Sequence, residues 1–285
     1  MMAIRFSWKL LASMAFAAST LAGCAALDTK QGQWIFNPSD RSWNNDVISS
    51  ATAAGSLQEA WVNFDSKVTG QSVKLHTLIN PSPRADAPVM LYLHGARWNV
   101  AGSTYRIQRM QELGFTVVAV DYRGFGKTSG EVPSEKMAYE DAHAAWQWVA
   151  QTYPTQPRYI FGHSLGGAIA IELASKVTDE KGTIVEGTFT SIPDVAATMR
   201  WGWLPISTLI TQRFDSFKKV ATIGSPLLVV HGSDDSLIKP DLGRKLFDAA
   251  AQPKRFVLVE GGSHHNTNSV GQPAYKLALA EMFGI

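Results

Sequence analysis

The sequence predicts an α/β fold: a mostly parallel, eight-stranded sheet with helices on both faces. Three observations predict it. Eight runs rich in β-branched and apolar residues, each bounded by turn residues, recur along the chain. Stretches with helical spacing of apolar residues separate the later runs, and strand–helix alternation is the signature of a parallel sheet covered on both sides. Several of the runs are apolar throughout, as strands buried on both faces must be.

The eight runs are Ala60–Phe64, Val73–Ile79, Val89–Leu93, Phe115–Val120, Tyr159–Phe161, Thr183–Phe189, Leu227–Val230 and Phe256–Val259. Gln71–Asn80 alternates polar and apolar residues, which predicts an early strand with one exposed face. Val89–Leu93, Phe115–Val120 and Leu227–Val230 are almost wholly apolar and belong at the centre. Helices are expected over Ser134–Gln151, where Met137, Ala138, Ala142, Ala145, Trp146 and Val149 recur near helical spacing, and over Leu165–Lys176 and Asp241–Ala251. A parallel sheet brings the loops that leave its strands to one rim, where such sheets bind ligands. Any chemistry should therefore follow strand ends.

The first residues do not belong to this fold. Arg5 and Lys9 precede an apolar run from Leu10 to Ala22, too short to span a bilayer, which takes about 20 residues. Leu21-Ala22-Gly23-Cys24 resembles a bacterial lipobox, and Cys24 is the sole cysteine among 285 residues. That resemblance implies removal of residues 1–23 and a lipid on Cys24, which would hold the mature protein to a bacterial membrane. Ala25 is not Asp, which in Gram-negative lipoproteins implies sorting to the outer membrane, so the expected location is that membrane, facing the periplasm. Because Arg5 and Lys9 are the only charges in the signal, an excess of 26 basic over 24 acidic residues vanishes on cleavage. A neutral mature surface offers no general field for nucleic acid. The expected organisation is a signal over 1–23, an arm over 24–55 that packs Trp34, Phe36 and Trp43 on the domain, and one domain over 56–285 with a short cap-like insertion at about 193–222.

Three strand ends carry the candidate chemistry. Tyr159-Ile160-Phe161 runs into Gly162-His163-Ser164-Leu165-Gly166-Gly167, a G-x-S-x-G turn between strand and helix. The glycines are a steric requirement, since the chain reverses within two residues and neighbouring backbone passes close by. A serine hydroxyl is a poor nucleophile at neutral pH and needs a base. Pro226–Gly232 leads into His231-Gly232-Ser233-Asp234-Asp235, which offers two carboxylates. Phe256–Val259 leads into Glu260-Gly261-Gly262-Ser263-His264-His265-Asn266, which offers two imidazoles on a glycine loop. His94 and His231, each ending a strand before glycine, are expected to be structural, and His143 to be a helix-face residue. No Cys/His cluster and no phosphate-cradling loop is evident, so neither metal nor cofactor is implied.

Together these residues resemble the α/β-hydrolase superfamily, and more closely its compact, lid-poor members described as serine-aminopeptidase-like or bud-emergence-type hydrolases, some of which are depalmitoylases. The closer likeness rests on the elbow, Thr190-Ser191-Ile192-Pro193 and Arg213-Phe214-Asp215-Ser216-Phe217. The resemblance implies Ser164 as nucleophile. Its H-G-x-x-D pattern selects Asp235 over Asp234, with Leu237 and Ile238 packing beyond, and G-G-x-H selects His264 over His265. It places the oxyanion hole at the backbone N–H groups of Leu165 and Ala96, the latter in His94-Gly95-Ala96-Arg97-Trp98. It gives Asp121-Tyr122-Arg123-Gly124-Phe125-Gly126 a bracing role.

Only about 35 residues separate Thr190 from Ser225, too few for a large cap. Trp201 and Trp203 in this stretch, with Trp98, either line an apolar lip for an acyl chain or pack a short helix on the sheet. The expected activity is hydrolysis of a small or lipid-like ester or thioester through an acyl-enzyme. Peptidase or amidase action by the same triad is the alternative within catalysis, and a non-catalytic envelope binding protein the alternative outside it. A serine at position 164 disfavours epoxide and haloalkane hydrolysis, which need a carboxylate there.

Overall fold

A computed structural model describes residues 26–38, 57–199 and 205–285. Cys24, Trp201, Trp203 and most of the expected arm, Trp43 included, lie outside the described residues. Among the described residues eight strands form one sheet: β1 (Gln58–Asp65), β2 (Ser72–Asn80), β3 (Val89–Leu93), β4 (Thr116–Val120), β5 (Arg158–His163), β6 (Gly182–Glu186), β7 (Leu227–Gly232) and β8 (Lys254–Val259). Their spatial order is β1-β2-β4-β3-β5-β6-β7-β8. β2 pairs antiparallel with β1 and β4, and every other pairing is parallel.

The helices are α1 (residues 26–36), α2 (Thr104–Glu112), α3 (Glu135–Thr152), α4 (Leu165–Ala174), α5 (Ile192–Thr198), α6 (Pro240–Ala249), α7 (Thr267–Val270) and α8 (Gln272–Phe283). Local chemistry sets their starts. Ser134 caps α3 by accepting from the Met137 N–H at 3.3 Å, and Pro240 opens α6 at a position where the missing N–H has no partner to lose.

Successive side chains of a strand point to opposite faces, and both faces are covered here. Leu91 and Leu93 of β3 join a core shared with α3, α4 and α6, whereas Met90 and Tyr92 join one shared with α2 and α8. This double burial is why the central strands read as unbroken apolar runs.

Two elements differ from expectation. β2 does not keep an exposed face: Leu75–Ile79 are all buried, because Leu75 and Ile79 pack into the core on one side of the sheet and Leu78 into the core on the other. His76 is held there by Asp121 and Glu59, each 3.1 Å from a ring nitrogen. The run Thr183–Phe189 forms a strand only as far as Glu186, since Gly187 turns the chain at φ 56°.

β3 is the switch point of the sheet. The chain leaves it for β4 on one side and returns as β5 on the other, so the loops after β3 and β5 diverge from neighbouring strand ends, Leu93 lying opposite Gly162. Open α/β sheets place ligands in such a crevice.

Candidate active site

Ser164 stands between β5 and α4 with φ 55° and ψ −120°, a conformation few non-glycine residues adopt. The surroundings impose it. The Ser164 N–H donates to the Glu186 carbonyl at 2.9 Å, and the Ser164 carbonyl accepts from Gly167 N–H and Thr188 Oγ1, both at 2.9 Å. A Cβ at Gly166 would stand 2.1 Å from the Leu93 carbonyl oxygen, and one at Gly162 would stand 2.2 Å from the Gly166 oxygen. Backbone cannot yield as a side chain can. Gly166→Ala is therefore expected to destabilise the protein by more than the ~1–3 kcal/mol usual for overpacking. Gly224→Ala, which meets nothing within 4 Å, should be nearly neutral in the same denaturant titration.

The loop after β7 supplies a buried carboxylate. Asp235 is 3% exposed, whereas Asp234 faces solvent. Asp235 Oδ1 accepts from the N–H groups of Leu237 at 3.0 Å and Ile238 at 2.8 Å, and Oδ2 lies 2.8 Å from His264 Nδ1. His231 Nε2 approaches the same Oδ2 at 3.4 Å while bonding the Ile238 carbonyl at 2.9 Å. Burial alone would raise this carboxyl. The His231 and His264 contacts and the Ile238 N–H outweigh it and hold Asp235 well below the usual carboxylate range. Ile238 is buried as expected, but Leu237 is half-exposed and lines the cleft instead of packing inward.

The loop after β8 brings the imidazole. His264 Nε2 is 3.0 Å from Ser164 Oγ, so one ring bridges hydroxyl and carboxylate. With Asp235 ionised, Nδ1 carries the proton and Nε2 is free to accept one from Ser164. His265 turns outward and stacks on Trp98, ring centroids 5.7 Å apart. Asn266 shapes the loop by accepting from the Ser263 N–H at 2.7 Å.

Ala96 lines the cleft beside Ser164, and Leu165 opens α4, where its N–H has no carbonyl one turn earlier to bond. The bracing expected of Asp121 and Arg123 is visible in named bonds. Asp121 Oδ1 accepts from the Val100 N–H at 2.7 Å, and Arg123 reaches Asp141 at 2.6 Å and Glu140 at 2.7 Å. His94 is buried with Nδ1 2.8 Å from the Gly95 carbonyl oxygen, and His143 lies on α3.

A second, deeper set of residues escapes the sequence pattern. The Arg106 guanidinium, 3% exposed on α2, pairs with Glu186 at 3.0 Å, and Tyr275 of α8 donates to the other oxygen of that carboxylate. Arg106 Nη2 also donates to the His265 carbonyl at 3.2 Å, which accepts from Tyr105 as well at 2.8 Å. His163 Nε2 lies 3.0 Å from the His264 carbonyl oxygen. A carbonyl only accepts, so this shorter contact puts the proton on Nε2, and the approach of Arg106 Nη2 to the same nitrogen at 3.3 Å is then not a hydrogen bond. Burial, then the nearby Arg106 cation and His264, keep His163 neutral by holding it well below its ordinary range. The histidine loop is thus tied down through its own carbonyls. Glu186 at the end of a buried strand was the one visible signal, a charge where an apolar residue belongs.

The cleft has a volume of about 330 Å³ and is lined by Ala96, Arg97, Trp98, Ser164, Leu237 and His264 among others. Of the three tryptophans that either line an apolar lip or pack on the sheet, only Trp98 lies within the described residues, 41% exposed at the cleft.

The sequence matches the family described as serine aminopeptidase, S33 over residues 84–218. It is 36% identical to a lysophosphatidylserine lipase of Danio rerio over 187 residues, 59% of this chain and 48% of the relative. The chain thus spans about half the length of that relative. Among solved structures, an α/β hydrolase from Vibrio vulnificus superposes with a TM-score of 0.68 at 20% identity, covering 83% of this chain and 85% of the other. An esterase from Pyrococcus furiosus superposes with a TM-score of 0.66 at 19% identity, covering 81% and 92%. Sheet order, the serine elbow after β5 and these likenesses lead to one assignment: the chain has the α/β-hydrolase fold, and residues 84–218 of it resemble the serine aminopeptidase family.

Proposed function

We propose that this protein is a serine hydrolase that cleaves carboxylic esters or thioesters through an acyl-enzyme on Ser164. The observation that carries the reading is the continuous chain of contacts from Ser164 Oγ through His264 to Asp235, at 3.0 and 2.8 Å, at the mouth of a cleft. Ser164 Oγ attacks the substrate carbonyl while its proton passes to His264 Nε2. The N–H groups of Leu165 and Ala96 hold the oxygen that becomes negative. Collapse expels the alcohol or thiol, which takes the proton from His264. Water then repeats the sequence against the acyl-enzyme and frees the acid and Ser164.

A mainly apolar rim at Trp98 and Leu237 favours an acyl or other lipid-like substrate over a charged one. The Danio rerio relative is a lipase by name, and the Pyrococcus furiosus neighbour an esterase. The family match, described as a serine aminopeptidase, favours a second reading in which the same triad cleaves amides. Matched ester and amide substrates separate the two. The ester is expected to be turned over faster, and a faster amide reverses the assignment. Labelling with a fluorophosphonate probe tests for any acylation at all. Folded protein that never reacts supports a non-catalytic binding role.

We also place the protein on a bacterial membrane through a lipid at Cys24, on the strength of Leu21-Ala22-Gly23-Cys24. Among the described residues no helix is long and apolar enough to cross a membrane. Cys24→Ala is expected to abolish incorporation of labelled palmitate and to move the protein out of the membrane fraction. A variant that stays in that fraction would refute the anchor.

A further inference from the structure

The oxyanion loop is not braced by the hydrolase core alone. Arg97, the residue after Ala96, has φ 74°, a left-handed conformation in a non-glycine residue, and its N–H donates to the carbonyl of Phe36 at 2.7 Å. Phe36 is the last residue of α1, so its carbonyl is one of the four that a helix leaves without an internal partner. The chain then turns at Asn37, φ 39°, whose own N–H returns to the Gln33 carbonyl at 2.9 Å. The helix terminus offers a fixed acceptor, and the strained loop residue supplies the donor.

The helix is itself held in place. Phe36 is fully buried, edge-on to Phe125 at 6.1 Å and to Phe214 at 5.7 Å. Gln31 Nε2 donates to the Leu209 carbonyl at 2.6 Å and its Oε1 accepts from the Thr211 N–H at 2.7 Å, while Thr211 Oγ1 donates to Asp28 at 2.7 Å. A Cβ at Gly32 would lie 3.2 Å from the Pro133 carbonyl oxygen, so α1 approaches that loop closely. The sequence matched to the hydrolase family begins only at residue 84.

We infer that α1 is a positioning element of the active site. Through the Phe36 carbonyl it fixes the Arg97 peptide and thereby aims the adjoining Ala96 N–H at the developing oxyanion. This rests on the reading of Ser164 as nucleophile and Ala96 as oxyanion donor. The physical argument is one of reorganisation. A donor held before reaction costs nothing to orient at the transition state, and loss of one such donor costs on the order of 10²–10³ in turnover. A left-handed Arg97 without its partner would relax toward negative φ and rotate the peptide that carries the loop.

Two measurements on the full-length protein test this. In folded Phe36→Ala, normalised by active-site titration, kcat for a p-nitrophenyl ester is expected to fall roughly 10- to 100-fold, a part of the cost of losing one oxyanion donor. KM should change by less than about threefold, and Phe36→Leu should restore most of the rate, because the contact acts on the transition state and the bulk of the side chain is what seats the helix. A folded Phe36→Ala with parental kcat overturns the proposal, as does an equal rise in KM with kcat unchanged.

The second measurement needs no variant. Binding linkage is reciprocal, so a trifluoromethyl ketone adduct on Ser164 should tighten the docking of α1. Amide exchange over residues 30–38 and at Arg97 is expected to slow on adduct formation. Unchanged exchange in protein whose Ser164 adduct is present by mass spectrometry removes this proposal and leaves the hydrolase reading standing. Failure to form any adduct removes both. Should Phe36→Ala not fold, the exchange measurement decides alone.

Discussion

Replacing Ser164 by alanine is expected to reduce ester turnover by about 10⁴-fold or more, with the fold unchanged. The residual rate should be what binding and oxyanion stabilisation alone provide, since a triad without its nucleophile retains about 10³–10⁴ over water. The size follows from the geometry. Ser164 Oγ is the atom that faces His264 Nε2, and among the described residues the cleft lining offers no second hydroxyl except Ser103, which instead donates to the Asn99 carbonyl at 3.2 Å. Stability should change little, because alanine keeps the Cβ that is strained at φ 55° and only the Oγ contact with His264 is lost. Hydrolysis of p-nitrophenyl acetate at saturating concentration, beside a urea titration, checks both. A variant that keeps within tenfold of the parental kcat refutes Ser164 as nucleophile.

The sheet was legible because parallel strands buried on both faces leave long apolar runs, and all eight runs lie within or overlap strands. The two departures, one of burial and one of a strand end, have physical sources. Alternation in Gln71–Asn80 reflects buried polar residues, His76 and Thr77, that have found a place inside the fold, not an exposed face. The glycine at 187 ends β6 early because its left-handed turn carries the chain past the Asp235–His264 pair, where a Cβ would meet Asp235 Oδ2 and His264 Nδ1 at 3.4 Å. Helix α2 was illegible for a related reason: its buried face includes Arg106, and a cation on a helix reads as solvated until Glu186, 80 positions away, supplies the counter-charge. In α1, Trp34 is 67% exposed while Phe36 is fully buried, so composition alone could not say which aromatic anchors the segment.

The site divides the same way. Residues set by a turn were readable, because a strand that reverses into a helix through serine needs glycines at fixed offsets. The pairs at 234–235 and 264–265 were not separable by spacing. Burial separates them, since one member of each pair is turned into the protein and the other out. The supports beneath the histidine loop join β5, β6, α2 and α8, and no local pattern encodes four elements meeting.

The same burial makes Asp235→Asn the second large effect, and here the volume hardly changes. Asp235 Oδ1 accepts from the Leu237 and Ile238 N–H groups, so an asparagine must put its oxygen there and its NH₂ where Oδ2 stood. That NH₂ donates toward His264 Nδ1, which must then be the bare nitrogen, and the ring proton moves to Nε2. Ser164 now faces a donor instead of a base. A loss of about 10⁴ in kcat is expected near neutral pH, as for a wrong-tautomer imidazole generally. Asp234→Asn, a change on the solvent side of the loop, should stay within twofold of the parent. The stability signature is independent of activity. Because the folded state depresses the Asp235 pKa, its ionised form contributes stability at pH values above the unfolded value of about 3.9, and that contribution is lost as pH falls through the lower folded value. The margin by which the parent exceeds Asp235→Asn in Tm should therefore be widest near neutrality and narrow below about pH 4. A margin that is flat with pH would mean that Asp235 is not the ionised partner of His231 and His264, and that the proton on His264 is placed by something else.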